Sequence, residues 1–233
     1  MDSTNNYATA QVHARMAQHG TVVFTHHQTA GRGQRGKQWA SEPGANLAMS
    51  VVVAPAPLIL SEAFLLSMAV ACAAARLLTK ILGDEVRIKW PNDLYWRDRK
   101  AGGILIENMI QGTAWKAAVV GIGININQTV FAPELAGKAV SVKQITGVAI
   151  EPLLLAKELC SYLQAALEEL HQNPKAIKDE YHRLLYKRNE VVHLRKGTIV
   201  FAATPQGVDD TGCLITSGAA EQRFAVGEVE WVM

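Results

Sequence analysis

The chain has little cysteine, and its three cysteines are far apart. Cys72, Cys160 and Cys213 form no C-x-x-C pair among the 233 residues. An odd number of separated cysteines indicates neither a disulfide framework nor a zinc site. We therefore expect a reducing, cytoplasmic setting.

The sequence also lacks an excess of charge of either sign and a long apolar run. Its 23 basic and 21 acidic residues give a net charge of +2, which argues against duplex DNA as the main partner. The most apolar run, from Ala63 to Leu78, is interrupted by Ser67 and Arg76 and is shorter than the roughly 20 residues of a membrane span. Residues 1–6 are polar and contain no apolar core of a secretory signal. We expect a core helix and no membrane association.

Helical and strand-like segments alternate in a pattern typical of an α+β fold with a mixed sheet and packed helices. Ser3 and Thr4 precede a predicted helix over Tyr7–His19, which Gly20 ends. A long helix is predicted between Ser61 and Gly83, and two more over Glu151–Leu170 and Lys175–Leu185. Strands are predicted over Thr21–His26, Asn46–Ala54, Val86–Lys89, Gly103–Asn108 and Ala114–Asn127.

The composition of the sequence and the length of its predicted segments change after Lys187-Arg188-Asn189. Short β-rich pieces alternate with glycine and aspartate from there to the C-terminus, which is typical of a small barrel. We predict two domains, 1–187 and 188–233.

The segment Gly31-Arg32-Gly33-Gln34-Arg35-Gly36-Lys37 combines glycines with three cations. Its first six residues satisfy G-x-G-x-x-G, but Pro43 and Gly44 follow where a dinucleotide-binding fold would have an established helix. We interpret it as a cationic phosphate-binding loop. As an isolated motif it is equally compatible with a solvated basic turn.

Two further clusters carry polar side chains beside glycines. The first is Lys89-Trp90-Pro91-Asn92-Asp93, which is followed by Lys100-Ala101-Gly102-Gly103 on a predicted loop. The second is Gly121-Ile122-Gly123-Ile124-Asn125-Ile126-Asn127, in which strand alternation predicts both asparagines on one face. These polar groups are expected to meet in one pocket.

Taken in order, these segments resemble the biotin–protein ligases. The resemblance rests on Ser3-Thr4-Asn5, Gln28 to Gly36, Trp39, Lys89 to Asp93, Lys100 to Leu105 and Gly121 to Asn125, and Gly227-Glu228-Val229 resembles the small C-terminal domain of that family. It implies a class II synthetase-like sheet and an SH3-like C-terminal barrel. Because Ser3 already begins the first motif, we expect no helix-turn-helix repressor domain and no DNA binding.

The resemblance implies two half-reactions. Biotin and ATP, with Mg²⁺, give biotinyl-5′-AMP and pyrophosphate, and biotin then passes to a lysine of a biotin carboxyl carrier protein. Catalytic roles are implied for Lys100, Arg32 and Asp93, with Lys100 holding the biotin carboxylate and Asp93 serving as base for the acceptor lysine. No residue is assigned to the metal.

The same resemblance implies the substrate contacts. Those for biotin are Ser3, Thr4, Asn5, Gln28, Gly31, Arg32, Gly33, Gln34, Trp39, Lys100 and Gly103. Those for ATP are Arg32, Arg35, Lys37, Trp39, Asn92 and Asn125. Many family members have arginine where this chain has Gln34 and Lys37. This chain therefore lacks two guanidinium groups that could each bind a phosphate through two hydrogen bonds.

Several alternatives stay open at this level. Two other functions compete with this interpretation. One is a lipoate or octanoate ligase of related fold, and the other is a module that binds nucleic acid through the cationic loop. Asp93 is also compatible with a turn former, and Trp90 with a core residue. His26 and His27 are adjacent on a strand and point to opposite faces, so we do not expect them to share a metal ion. A homodimer formed by pairing of the 114–126 strand across a two-fold axis is possible.

Overall fold

The computed structural model describes residues 1–218, 220 and 222–232 and contains two sheets and five helices. The helices are α1 (Thr4–His13), α2 (Ala63–Leu82), α3 (Val142–Thr146), α4 (Pro152–Gln172) and α5 (Pro174–Leu184). The strands are β1 (Val22–Phe24), β2 (Leu47–Val53), β3 (Val86–Lys89), β4 (Asp93–Trp96), β5 (Arg99–Gln111), β6 (Ala114–Ile124), β7 (Val192–Lys196), β8 (Ile199–Val208), β9 (Leu214–Ser217), β10 (Arg223–Phe224) and β11 (Glu230–Val232). The predicted α+β class is confirmed.

The first sheet has the strand order β1-β2-β6-β5-β4-β3, with antiparallel pairing between neighbours. Helix α2 is rich in alanine and leucine and is buried along most of its length. It packs with α4 and α5 against one face of the sheet. Helix α1 and the loop that follows β1 cover the opposite face.

Helix α2 and the turn before it, Leu60–Leu82, are long and apolar enough to cross a membrane by length and composition. However, 72% of the most apolar window is buried inside the protein. A mostly buried apolar helix is typical of a protein core, so this segment is only weak support for a membrane span.

The predicted start and end of α1 were wrong. The helix begins at Thr4 and not at Tyr7, so Ser3 is its N-cap and Thr4-Asn5 form its first turn. It ends at His13, because Arg15 adopts a left-handed conformation with φ of 57° and interrupts the helical hydrogen bonds. The Ser3-Thr4-Asn5 motif is thereby held on a helix and not on a free N-terminal segment.

The region around Lys100 differs from its predicted loop conformation. Residues 93–96 form β4 and turn back through Arg97, which has φ of 53°, into β5. The register pairs Asp93 with Gly103 and Lys89 with Asp93. Lys100 therefore lies on a strand that is fixed by pairing with β4.

Pairing of residues 114–126 across a two-fold axis stays a prediction, and the sheet order limits where along the strand it can occur. Strand β6 lies between β2 and β5, and it pairs with β5 along almost its whole length. An interior strand has no open edge for a second chain, except where it extends beyond β2.

The second sheet has the order β10-β9-β8-β7-β11 and lies against the first domain. It begins at Val192, close to the predicted domain boundary at 187/188; that boundary and closure into a barrel stay predictions. Trp90 Nε1 donates to the Gly212 carbonyl at 2.9 Å, and the rings of Tyr186 and Trp231 are 5.8 Å apart. Trp90 is 2% exposed, so it is a core residue that fastens the two sheets together.

Candidate active site

A buried polar network joins the first turn of α1 to strand β2. The Thr4 amide donates to Gln28 Oε1 at 2.8 Å. Ser50 Oγ donates its proton to Asn5 Oδ1 at 2.5 Å and lies within hydrogen-bond distance, 2.7 Å, of the Thr4 hydroxyl. The predicted residues Ser3, Thr4, Asn5 and Gln28 thus come together, and Ser50 joins them. The sequence signal for Ser50 was a single hydroxyl inside the apolar strand β2.

Glu107 is a second residue that the sequence analysis missed. Its carboxylate accepts from Asn5 Nδ2 at 2.9 Å and from Arg32 through Nη2 at 2.7 Å and Nη1 at 3.1 Å. It lies on β5 four residues after Gly103, on the same face of the strand. The only signal was a carboxylate within an otherwise apolar strand segment.

The cationic loop folds as a tight hairpin. Arg32 bridges to Gln38, and the Gly33 amide donates to the Lys37 carbonyl at 2.7 Å. Gly31 is required because a Cβ there would overlap the backbone carbonyl of Trp39. The loop thereby holds the Arg32 side chain next to α1 and β5.

Arg35 occupies the opposite side of this hairpin. It has φ of 57°, and its Nη1 donates to the Gly227 carbonyl of the second sheet at 3.0 Å. Its guanidinium thus contacts the turn at Gly227. No sequence motif predicted this contact. Lys37 is exposed beside it.

Lys100 and Asp93 form an ion pair across β4 and β5. Lys100 Nζ lies 2.6 Å from Asp93 Oδ1. A Cβ added at Gly103 would lie 3.4 Å from both Asp93 Oδ1 and Lys100 Nζ, so the pair sits on the Gly103 face of β5. This is also the face of Glu107. The Lys100 ammonium and the Arg32 guanidinium therefore both lie on the Gly103 and Glu107 face of β5.

Trp39 forms one wall of this surface. Lys100 Nζ is 5.8 Å from the centroid of the Trp39 ring. A Cβ at Gly123 would come within 2.6 Å of that ring, so the glycine allows Trp39 to lie against β6. Trp39 Nε1 is buried and has no hydrogen-bond partner within the described part of the chain. It is a donor that a bound acceptor can use.

Lys89 lies beside this pair but is buried. Its Nζ donates to Tyr95 Oη at 3.2 Å and lies 4.7 Å from the Tyr95 ring centroid and 5.4 Å from that of Trp231. The pKa of Lys89 is lowered to about 8, mainly by burial and to a smaller extent by the ammoniums of Lys100 and Lys37, against the opposing effect of the Asp93 carboxylate. The contacts with the aromatic rings offset part of the free-energy cost of burying this ammonium.

The asparagines of the third motif have structural positions. Strand β6 ends at Ile124, and Asn125 is buried with Nδ2 directed at the carbonyls of Val140 and Lys100, 3.2 and 3.4 Å away. Asn127 exchanges two hydrogen bonds with the backbone of Ile150. These two side chains fix the loops that follow β6. The prediction that they share one face of a strand was wrong, because both residues lie beyond the end of β6.

A cavity of about 240 Å³ lies on the α2 side of β5, where Ala63, Phe64 and Ser67 contribute to its wall. Gln34 and Asn92 line it together with Phe64, Ile106, Asn108 and Thr211. Asn92 also donates to the Ile104 carbonyl at 2.6 Å. Gln34 and Asn92 are therefore close to each other, at the junction of the loop, β5 and the second sheet. Across residues 1–218, 220 and 222–232, no group of three His, Cys, Asp or Glu side chains is arranged to hold a metal ion.

The fold is that of the biotin protein ligases. The chain superimposes on biotin protein ligase from Aquifex aeolicus in complex with biotin and ATP, with a TM-score of 0.82 and 24% identity over 99% of this chain and 95% of that one. It also superimposes on biotin protein ligase from Leishmania major in complex with biotinyl-5-AMP, with a TM-score of 0.67 and 23% identity, covering 96% of this chain and 95% of that one. This defines the class of protein by its fold.

Sequence comparison identifies the family. The Biotin/lipoate A/B protein ligase family matches residues 1–125. Biotin--[acetyl-CoA-carboxylase] ligase of Paracoccus denitrificans is 34% identical over 85% of this chain and 84% of its own length. Bifunctional ligase/repressor BirA of Escherichia coli is 33% identical over 92% of this chain and 66% of its own length. The chain belongs to the Biotin/lipoate A/B protein ligase family, which confirms the resemblance. It spans between 42% and 66% of the bifunctional ligase/repressor relatives it matches.

Proposed function

We propose that the chain joins biotin to AMP and then transfers biotin to a lysine of a biotin carboxyl carrier protein. The observation that carries this proposal is the shared surface over β5. Two cations, Lys100 and Arg32, lie on it beside the buried network of Thr4, Asn5 and Gln28. Neutral hydrogen-bonding groups next to cations suit a ligand with a ureido ring at one end and a carboxylate at the other.

Adenylation brings the biotin carboxylate against the α-phosphate of ATP, so the site must neutralise two anions. An ammonium or guanidinium in a partly desolvated site stabilises such a transition state by several kcal/mol. Lys100 is 34% exposed at its side chain and is already held by Asp93. We assign it the carboxylate and the acyl-phosphate oxygen, and we assign Arg32 the phosphate.

Nucleotide contacts are proposed for the remaining cations of the loop and for Asn92. Lys37 and Arg35 flank the loop, with Arg35 anchored at Gly227, while Asn92 lines the cavity with Gln34. Mg²⁺ is expected to arrive bound to the phosphates of ATP, since a hard cation prefers such oxygens. When bound it would neutralise phosphate charge. Of the two carboxylates at this surface, Glu107 is paired with Arg32, and we assign the contact with the ion to Asp93.

For the transfer step, the acceptor lysine must lose a proton before it attacks the acyl phosphate. We assign the acceptance of that proton to Asp93, because its carboxylate lies on the Gly103 face next to Lys100. The partner is then a carrier domain that presents one lysine. A cytoplasmic location is consistent with the three free thiols of Cys72, Cys160 and Cys213.

The test is product analysis with biotin, ATP and Mg²⁺. We expect pyrophosphate release that depends on biotin and a mass-spectrometric signal for biotinyl-5′-AMP. Lipoate and octanoate in place of biotin test the related ligase function. Pyrophosphate release with lipoate and none with biotin would reject the proposal in favour of a lipoate ligase. A salt-dependent affinity for oligonucleotides that exceeds the affinity for other polyanions would instead favour the nucleic-acid-binding module.

A further inference from the structure

Glu107 and Asn6 hold the guanidinium of Arg32 from one side. Glu107 accepts from Nη2 and Nη1, and Asn6 Oδ1 accepts from Nη1 at 2.8 Å. Asn6 is itself oriented, because its Nδ2 donates to Asp2 Oδ2 at 2.7 Å and leaves Oδ1 for Arg32. These bonds use both protons of Nη1 and one proton of Nη2.

The remaining donors of Arg32 form one edge of the guanidinium. They are the Nε–H and the second proton of Nη2, which lie in the fork geometry that binds two oxygens of a phosphate. Without these contacts the exposed side chain of Arg32 would rotate about several bonds. The contacts with Glu107 and Asn6 remove that freedom before a ligand arrives.

Glu107 also connects the loop to α1. The same Oε2 atom that accepts from Arg32 accepts from Asn5 Nδ2 at 2.9 Å, and Asn5 is 3% exposed. Asn5 is buried and hydrogen-bonded to Ser50 and to the Leu105 carbonyl, whereas the side chain of Arg32 is 45% exposed. The carboxylate thus connects an exposed arginine to a buried, hydrogen-bonded side chain.

We propose that Glu107 is a positioning residue that presents the Nε–Nη2 edge of Arg32 to a phosphate of the nucleotide. This inference rests on the proposed function, because that function assigns phosphate to Arg32. Glu107 acts through Arg32 and does not contact the ligand. A carboxylate beside a phosphate site would by itself repel the nucleotide, so the proposal predicts the opposite sign from simple electrostatics.

The experiment is a double-mutant cycle on ATP affinity, measured by isothermal titration with Mg²⁺ and without biotin. We expect Glu107→Gln to raise the Kd for ATP about three- to tenfold and Arg32→Ala to raise it tenfold or more. The double variant is expected to bind like Arg32→Ala, since Glu107 has no role once the guanidinium is gone. Glu158→Gln, which breaks the remote pair with Lys80, is the control and should bind like the unaltered chain.

Three results would overturn the inference. The first is an ATP affinity of Glu107→Gln that is unchanged or tighter. The second is a change in ATP affinity on Glu107→Gln that persists in the Arg32→Ala background. The third is the lack of ATP binding by the unaltered chain. Thermal unfolding of each variant separates local from global effects, and Glu107→Asp serves if Glu107→Gln does not fold. If the chain binds ATP but makes no biotinyl-5′-AMP, the proposed function is rejected, and the double-mutant cycle on ATP affinity can still be interpreted.

Discussion

At the scale of single residues, the site depends on charges held by short contacts to specific partners. Lys100 is fixed at its backbone as well as at its side chain, because its amide donates to the Lys138 carbonyl at 2.8 Å and its carbonyl accepts from Val140. Its ammonium can then exchange Asp93 for a ligand carboxylate without movement of the strand. The position of the charge is therefore set by the fold.

Replacing Lys100 with alanine is expected to lower the rate of biotin-dependent pyrophosphate release by at least a hundredfold, which corresponds to several kcal/mol of transition-state stabilisation. The free energy of unfolding should change by no more than about 1 kcal/mol, because the lost pair with Asp93 is partly exposed. Lys138→Ala, at an exposed neighbouring position, is the control. Comparable rates in the two variants would remove Lys100 from the reaction.

Gly123→Ala tests the wall formed by Trp39. The added Cβ would lie 2.6 to 2.9 Å from ring atoms of Trp39, so the ring must move away from β6. We expect biotin affinity to fall about tenfold, measured by titration, with a loss of stability on the order of 1 kcal/mol. Gly207→Ala is a matched control on β8, where the new Cβ meets His182 only at 3.4 Å. Unchanged biotin affinity in Gly123→Ala would mean that Trp39 does not line the biotin site.

At the scale of elements, the cationic hairpin of residues 31–37 bridges two parts of the protein. Arg32 ties one side to β5 and α1, and Arg35 ties the other side to the second sheet at Gly227. A Cβ at Gly227 would lie 2.5 Å from Arg35 Cζ, so this glycine provides the surface on which the guanidinium lies. Contacts made by Arg32 and Arg35 thus restrain the hairpin on two sides.

Arg35→Ala should release the hairpin from the second sheet. We expect faster hydrogen exchange for the amides of residues 33–38 and a several-fold weaker affinity for ATP, because the loop must be ordered again on binding. Arg15→Ala is a suitable control, since Arg15 also has φ of 57° and the substitution carries a similar backbone cost. Equal exchange rates in the hairpin of both variants would show that Gly227 does not restrain it.

The elements also show which features a sequence can predict. Helix α2, β3 and the motif residues Arg32 and Lys100 follow from local patterns of apolar residues, glycine and charge. The partners of those residues do not, because Glu107 lies 102 positions from Asn5, Ser50 lies 45 positions from it, and Gly227 lies 192 positions from Arg35. Lys100 was expected on a loop because Lys-Ala-Gly-Gly has low strand propensity, and pairing with β4 overrides that preference.

At the scale of the whole molecule, the two sheets meet around one buried ammonium. Lys89 of β3 lies 4.7 Å from the ring centroid of Tyr95, 5.8 Å from that of Tyr186 and 5.4 Å from that of Trp231 on β11. The pair Lys100–Asp93 adjoins this cluster, since Lys89 and Asp93 are directly opposite in the sheet. The orientation of the second sheet is therefore coupled to the active surface.

The lowered pKa of Lys89 makes this junction dependent on pH. The pKa falls from 10.5 to about 8 on folding, mainly because of burial. Below about pH 8 both the folded and the unfolded chain hold the proton, and the cost of burying the charge is present in full. Between pH 8 and 10.5 the unfolded chain holds a proton that the folded chain has lost, so the free energy of unfolding rises with pH.

Lys89→Met should abolish this rise. We expect the free energy of unfolding of the unaltered chain to increase by about 2 kcal/mol, relative to Lys89→Met, between pH 7.5 and 9.5 in denaturant titrations. Lys116→Met, at an exposed lysine of β6, is the control and should follow the unaltered chain. Parallel pH profiles for the unaltered chain and Lys89→Met would contradict the assignment. Since the rings of Tyr186 and Trp231 would also lose their cation, the methionine variant should loosen the second sheet at pH 7.5, where hydrogen exchange in β11 gives an independent measure.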